Sequence, residues 1–395
     1  MTLRQSHGLN LSQLNKIGSL QNKRLPFISL VTHANLTHQG EIATEMKLKL
    51  YKTIPGFDTD ESLLFTYPSR VTDLYVPDLE KVIVPVKHYP EFKLGINVYT
   101  GSTEIRKPYG LKGKINQAFE KVANKIEHID AGEEFIFDAR YDTDKNVSHL
   151  IQNLIAPSIL VRNEISEALD KPISLNVVLR KNTSNISVKA FKLMGFEVIQ
   201  TEGTVQGNII KLDKCEDQAY FGIIPEVFNV DFDGYTGDTP EKVFIPRQGT
   251  RSIENNAEIQ SFLETRGFKT FYFEELTLEE EWSIARNAKV VVAANGAAWA
   301  HFAFNKLGYK NPGIPGSGVK MIVLVSPNFN TKFSQRIAKV INGRRAAVRG
   351  QLTPKALKEL DFKQRSYSPH LSPMSDPYKI HLKSLEEALA YLGER

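Results

Sequence analysis

Residues 289–304 read KVVVAANGAAWAHFAF, an apolar run that breaks only at Asn295 and Gly296 and resumes in small residues. The run reads as a strand that leads straight into small residues at the start of a helix, and strands alternating with helices imply a parallel sheet. The small residues behind it let a helix start directly off the strand end, which is the joint of a β/α unit.

The same alternation continues on either side. Upstream stand the strand KVFIPR (242–247), the helix NNAEIQSFLETRG (255–267) closed by Gly267, the strand FKTFYF (268–273) and the helix LEEEWSIARNA (278–288). Downstream come the strand MIVLVSP (321–327), the helix FSQRIAKVI (333–341) and an amphipathic terminal helix, LKSLEEALAYLGER (382–395). An earlier series begins at EFIFDAR (134–140), passes through the helix SHLIQNLIAPSILVRNEISEAL (148–169), where Pro157 is a point of kinking or division, and ends with ISLNVVLR, the helix ISVKAFKLMG and FEVIQT (196–201). Between the two series lies VDFDGYTGDTPEK (230–242), rich in Gly, Asp and Pro, which places a boundary near residue 236. The first 130 residues carry only short alternating runs such as KVIVPVKHY and FKLGINVYT and read as an irregular region containing strands.

A chain of 395 residues exceeds the roughly 250–300 at which one core stops growing, so two domains are expected. The lone Cys215 excludes an intrachain disulfide and a thiolate metal cluster, and no window approaches the ~20 apolar residues of a membrane span. A cytoplasmic protein is the expectation. The net charge of +5 is modest, but residues 331–350 hold Lys332, Arg336, Lys339, Arg344, Arg345 and Arg349 with no acid. Such a run is either a solvated face or a site of peripheral contact with phosphates, anionic glycans or an anionic membrane surface. It lacks the interleaved aromatics that nucleic acid would need.

Ligands of open α/β sheets sit beyond the carboxyl ends of the strands. After KVFIPR come Arg247 and Arg251, able to clamp a diphosphate or, alternatively, to pair with surface carboxylates. After KVVVAA come Asn295, Gly296 and Ala297, where small residues suit either a phosphate approaching backbone amides or close helix–strand packing. No GxGxxG fingerprint is present, which speaks against a dinucleotide oxidoreductase. Glu274 and Glu275 follow FKTFYF, placed to accept from a ribose or simply to charge the next helix start. In DARYDTDKNVSHLIQN, Asp138, Asp142 and Asp144 precede a helix on which His149 and Asn153 share a face. His149 is a candidate general base, or alternatively only a helix-end hydrogen-bonding group.

These segments resemble glycosyltransferase family 61. PRQGTRSIENNAEI is similar to its Arg-rich loop with following Asn and Glu, EELTLEEEWSIARNAKVVVAANGAAWAHFAF to its acid–leucine helix and His-Gly-Ala element, NVSHLIQNLIAPSIL to its Asn-x-x-His helix, and YKIHLKSLEEAL to its last segment. The resemblance runs from about residue 146 to the end. It implies a GT-B-like α/β fold of two Rossmann-like domains facing across a cleft. The N-terminal acceptor-side domain would span 1–235, with β/α units at 134–212, and a donor-binding domain 236–375, with the helix of 376–395 crossing back. It implies inverting transfer from a nucleotide sugar, a UDP-sugar, to a glycan or other hydroxyl acceptor in polysaccharide biosynthesis.

Carried over by position, Arg247, Arg251, Asn255, Glu258, Glu275, Gly296 and Ala297 are donor-binding residues, with Asn295 in the place of the family's His. His149, oriented by Asp142 or Asp144, is the candidate base, because the family's acid four residues further on is Asn153 here. The expectation is metal-independent chemistry with no permanently bound cofactor. Alternatively, Asn153 and Asn295 mark a catalytically degenerate sugar or nucleotide-sugar binding protein on the same scaffold.

Overall fold

The computed structural model describes residues 45–67, 81–103, 127–213, 219–229, 239–310, 314–327, 331–353 and 375–394. Cys215 and most of the proposed linker, 230–238, lie outside the described residues. Strands are numbered along the chain as β1 (Glu45–Ile54), β2 (Ser62–Phe65), β3 (Lys81–Val84), β4 (Phe92–Ser102), β5 (His128–Asp138), β6 (Leu175–Leu179), β7 (Glu197–Gln200) and β8 (Thr204–Leu212). They continue with β9 (Lys242–Ile245), β10 (Lys269–Thr270), β11 (Val290–Ala294), β12 (Lys320–Val325) and β13 (Arg344–Arg349).

Two sheets form the mixed α/β architecture. The first has the order β1-β4-β8-β5-β6-β7 and the second β10-β9-β11-β12-β13-β2-β3. In the second sheet every neighbouring pair is parallel from β10 through β2, and only the edge strand β3 is antiparallel. In the first, β5, β6, β7 and β8 are parallel partners, while β1 and β4 add antiparallel pairs.

The strand at 290–294 is buried on both faces. Val291 and Ala293 face a core shared by both sheets, while Val290, Val292 and Ala294 face a second core. The second core lies beneath helices α3 (Asn256–Glu264) and α6 (Leu382–Tyr391). The shared core also takes α1 (Ala156–Ala168), α2 (Asn185–Leu193), α4 (Leu278–Asn287) and α5 (Phe333–Val340). Trp282 and Phe304 sit there with ring centroids 4.4 Å apart, each side chain removed from water and so contributing about 1.5–3 kcal/mol or more.

Three expectations need correction. The second sheet is not built from residues after 236 alone: β2 and β3, from the first 130 residues, extend it through Leu63–Leu64 against Ala346–Ala347. The terminal helix does not return to the first sheet; its Leu385, Ala388 and Leu389 cover β13 and β2 because they complete the second core. The basic run is not one surface, since RRAAVR is strand β13 and its alternation scatters the cations. Arg336 stacks over Phe221 at 4.5 Å, Lys339 pairs with Asp60 at 2.8 Å, Arg344 lies over Tyr391 and Arg345 is buried against the hydroxyls of Ser62 and Ser334. No helix among the described residues is long and apolar enough to cross a membrane.

The helix expected over 148–169 is three pieces: a turn at Val147–His149, a π-helical stretch at Leu150–Ile155 and α1. Pro157 explains the division. It has no N–H for the carbonyl of Asn153 four residues back, and that carbonyl accepts the Tyr141 hydroxyl instead. A π-bulge of this kind is a recurrent feature of functional sites.

Candidate active site

β9 and β11 are adjacent and parallel, with Ile245 opposite Ala293, so the chain leaves both strands side by side. Pro246 and Arg247 follow one strand, and Asn295 and Gly296 follow the other. The extended backbone at Gly296 would suit any residue by φ, but a Cβ there would meet Nη1 of Arg247 at 2.6 Å. A side chain there would have to displace the guanidinium that occupies that space. Arg247 is held by the Thr250 carbonyl at 2.7 Å and its hydroxyl at 3.3 Å. Arg251 has left-handed backbone, φ 59°, and its N–H bonds the Ser375 carbonyl. Burial pushes its guanidinium down to about 10, with neighbouring Arg247 adding to the shift.

Arg247, Gly296 and Ala297 open on a cavity of about 220 Å³ that is also lined by Phe273, Glu274, Glu281 and His301. Val147 of the first series closes its other side, because the turn Val147–His149 packs on the 3-10 segment Ala297–Phe304. A guanidinium beside backbone at a strand's carboxyl end suits an anionic group.

Two residues after Val147, His149 Nδ1 lies 3.1 Å from Asp142 Oδ2. The same oxygen accepts Nδ2 of Asn153 at 2.5 Å, and the Thr143 amide binds Oδ1 at 2.6 Å. Burial pushes the Asp142 carboxyl up, but these donors outweigh it and hold it below its usual value. An ionised Asp142 fixes Nδ1 as the protonated nitrogen and leaves Nε2 as a proton acceptor. Asn153 is therefore a donor matched to Asp142, which a carboxylate at that position would repel.

Other expected residues are employed elsewhere. Asp144 accepts the Ser184 amide at 3.3 Å and its carbonyl accepts the Ser187 hydroxyl, tying the loop to the start of α2 rather than orienting His149. Asp138 pairs with buried Arg140 at 2.8 Å. Asn255 is consumed by Ile380, donating to its carbonyl and accepting its amide, both at 2.9 Å, and also binds Glu258. Glu275 holds the Gln248 amide group at 2.7 Å on the surface, so its neighbour Glu274 is the acid of this pair that lines the cavity. Asn295 is buried, its backbone extending the β11–β12 pairing; Gly296 and Ala297 are the residues exposed to the cavity.

Sequence reasoning missed Glu281 and His301. Burial first, then Glu274 and Glu280, push the Glu281 carboxyl up to about 8, while burial pushes His301 down to about 3. The ion-pair distance between them, 3.5 Å, is therefore read as contact between two neutral groups at pH 7. The signal was available in EEE: Thr277 and Glu280 form a capping box, and Glu279 binds Lys189 at 2.6 Å, so the third acid is free to turn inward.

The family model described as Glycosyltransferase 61 matches residues 117–310. No curated protein matches the chain. Among solved structures the chain is similar to the bacterial iron-containing dodecameric glycosyltransferase TibC from enterotoxigenic E. coli H10407, at 9% identity over 93% of this chain and 99% of that one, with a TM-score of 0.34. It is also similar to the dodecameric iron-containing heptosyltransferase TibC in complex with ADP-D-beta-D-heptose, at 10% identity over 92% and 99%, with a TM-score of 0.33. The matched segment contains the His149 turn, the Arg247 loop, the Gly296 joint and strands β5–β11, and that match supports assignment to glycosyltransferase family 61 and identifies a glycosyltransferase.

Proposed function

We propose that the protein transfers a sugar, with inversion, from a UDP-linked donor to the hydroxyl of a glycan or similar acceptor, in a GT-B-like arrangement. The second sheet is the donor side and the first sheet, with His149, the acceptor side. The observation that carries this reading is the approach of Arg247 to Gly296 in a cavity closed by Val147 of the His149 turn. The guanidinium of Arg247, with Arg251 beside it, offsets charge developing on the departing diphosphate, and His149 Nε2 takes the acceptor proton as the anomeric carbon is attacked.

Positive charge from the two arginines supports a metal-independent reaction. The DTD at 142–144 is occupied otherwise, with Asp142 on His149 and Asn153 and Asp144 on Ser184. A cytoplasmic setting belongs to the same proposal. Incubation with a panel of nucleotide sugars and hydroxyl acceptors, with and without EDTA, tests it. UDP release that depends on acceptor and survives EDTA is expected; no release from any nucleotide sugar would end the reading.

A further inference from the structure

The arrangement around Glu281 goes further and rests on the donor-site reading above. We propose that the Glu281–His301 pair in the cavity below Arg247 is the subsite for the transferred sugar, and that it selects a neutral sugar over one bearing a carboxylate.

Three observations place it there. The cavity's volume, about 220 Å³, falls below the roughly 300–1,000 Å³ typical for drug-sized ligands, so it takes a sugar ring rather than a whole nucleotide sugar. Phosphates would stay at the rim with Arg247 while the sugar enters. Apolar surface from Ile245, Phe273 and Ala298 offers the C–H face of a pyranose a wall, and the polar groups beside it are Glu274, Glu281 and His301.

The second observation is an unanswered polar atom. His301 is 3% exposed, its ring meets Phe273 edge-on at 5.4 Å, and its Nδ1 has no hydrogen-bond partner. A buried donor left so costs about 1–3 kcal/mol, a burden that native structures usually keep for a reason.

The third is charge. With Glu281 protonated and His301 neutral, Glu281 Oε2 can donate to His301 Nε2, which leaves Oε1 to accept from a sugar hydroxyl. The groups facing Glu281 are Glu274 from the turn after β10, Glu280 on its own helix, His301, and Arg247 at the rim. A uronate would bring another carboxylate against Glu274 and Glu281 in a site that already resists ionisation, which works against that substrate.

Binding of UDP, of neutral UDP-sugars and of UDP-glucuronate is measured at pH 7 for the wild type, Glu281→Ala and Glu281→Gln, with circular dichroism confirming the fold. The wild type should prefer the best neutral UDP-sugar to UDP-glucuronate. Glu281→Ala should weaken that sugar roughly tenfold and leave UDP unchanged, and Glu281→Gln, which keeps an uncharged donor and acceptor, should largely restore it. Equal losses for UDP and UDP-sugar, no loss for either, or a preference for UDP-glucuronate would overturn the subsite alone. Normal binding by Glu281→Gln with turnover abolished would also overturn it, making Glu281 a proton-transfer group instead. Failure of the wild type to bind UDP in any form would overturn the donor-site reading and the subsite with it.

Discussion

The guanidinium of Arg247 fills the space a side chain at Gly296 would need, with Nη1 2.6 Å from where a Cβ would sit. Two loops 49 positions apart in the chain thus make one surface, because β9 and β11 are parallel neighbours and end together. The obstructing atom is the tip of a flexible side chain, so Gly296→Ala should fold normally and push Arg247 aside. UDP affinity should fall roughly 10- to 100-fold, the size of a lost charge-assisted contact of about 1.5–3 kcal/mol, and Arg247→Ala should fall by a similar factor with little further loss in the double variant. Calorimetric titration decides; additive losses would mean that the two positions act separately.

Arg251 supplies a contrasting case. Its half-buried guanidinium feels Arg247 and Tyr378, and its backbone is left-handed. Arg251→Gly should remove the charge while relaxing the backbone, lowering UDP affinity without lowering the melting temperature. Unchanged affinity would remove Arg251 from the donor site.

His149→Ala should leave UDP affinity intact and reduce kcat by roughly 10²- to 10⁴-fold, the usual contribution of a general base. Asp142→Asn should also lower kcat, since an amide no longer fixes the imidazole tautomer. Asn153→Asp sets a second carboxylate against Asp142, where the amide now donates at 2.5 Å, and should raise the pH at which activity appears. Full turnover by His149→Ala in a released-nucleotide assay would reassign the base.

Stability against pH follows from Glu281 and His301 with opposite signs. His301 titrates at about 3 in the fold against 6.5 ordinarily, so the unfolded chain binds the extra proton and stability rises from pH 3 to 6.5. Glu281 titrates at about 8 against 4.5, so the folded chain holds the extra proton and stability falls from pH 4.5 to 8. Glu281→Gln should therefore flatten the decline of melting temperature between pH 6.5 and 8. Parallel curves for variant and wild type would contradict the buried, protonated state.

Asn255→Ala separates structure from binding at a residue expected to touch the donor. Loss of its two bonds to Ile380 should destabilise the fold by about 1–3 kcal/mol, read from denaturant midpoints, while UDP affinity stays the same. A weakened affinity in the folded variant would restore Asn255 to the donor site.

Much of the fold was legible locally. A strand such as VVVAA, apolar on both faces, has few environments other than the middle of a parallel sheet, and Gly195 and Gly267, at φ 75° and 81°, close helices where only glycine is unstrained. Arg247, Gly296, His149 and Asp142 were legible for the same reason, since each stands directly after a strand or at a helix start. The edge of the second sheet was not: β2 pairs with β13 across more than 250 residues and carries β3 with it, and a short strand carries no mark of so distant a partner. Arg344 and Arg345, read as part of a charged face, became a strand because sheet neighbours, not composition, decide which side of a strand is buried.

By itself the sequence determined the β/α alternation, its strand-end arginines and glycine, and the His149–Asp142 spacing, because these depend on local periodicity and on residues within a turn or two of one another. Only the tertiary structure decided that Glu281 of α4 meets His301, that Asn255 serves Ile380 and not a ligand, and that β2 and β3 finish the second sheet. Those outcomes turn on desolvation and on hydrogen bonds between segments far apart in the chain, and neither quantity exists until the chain has folded.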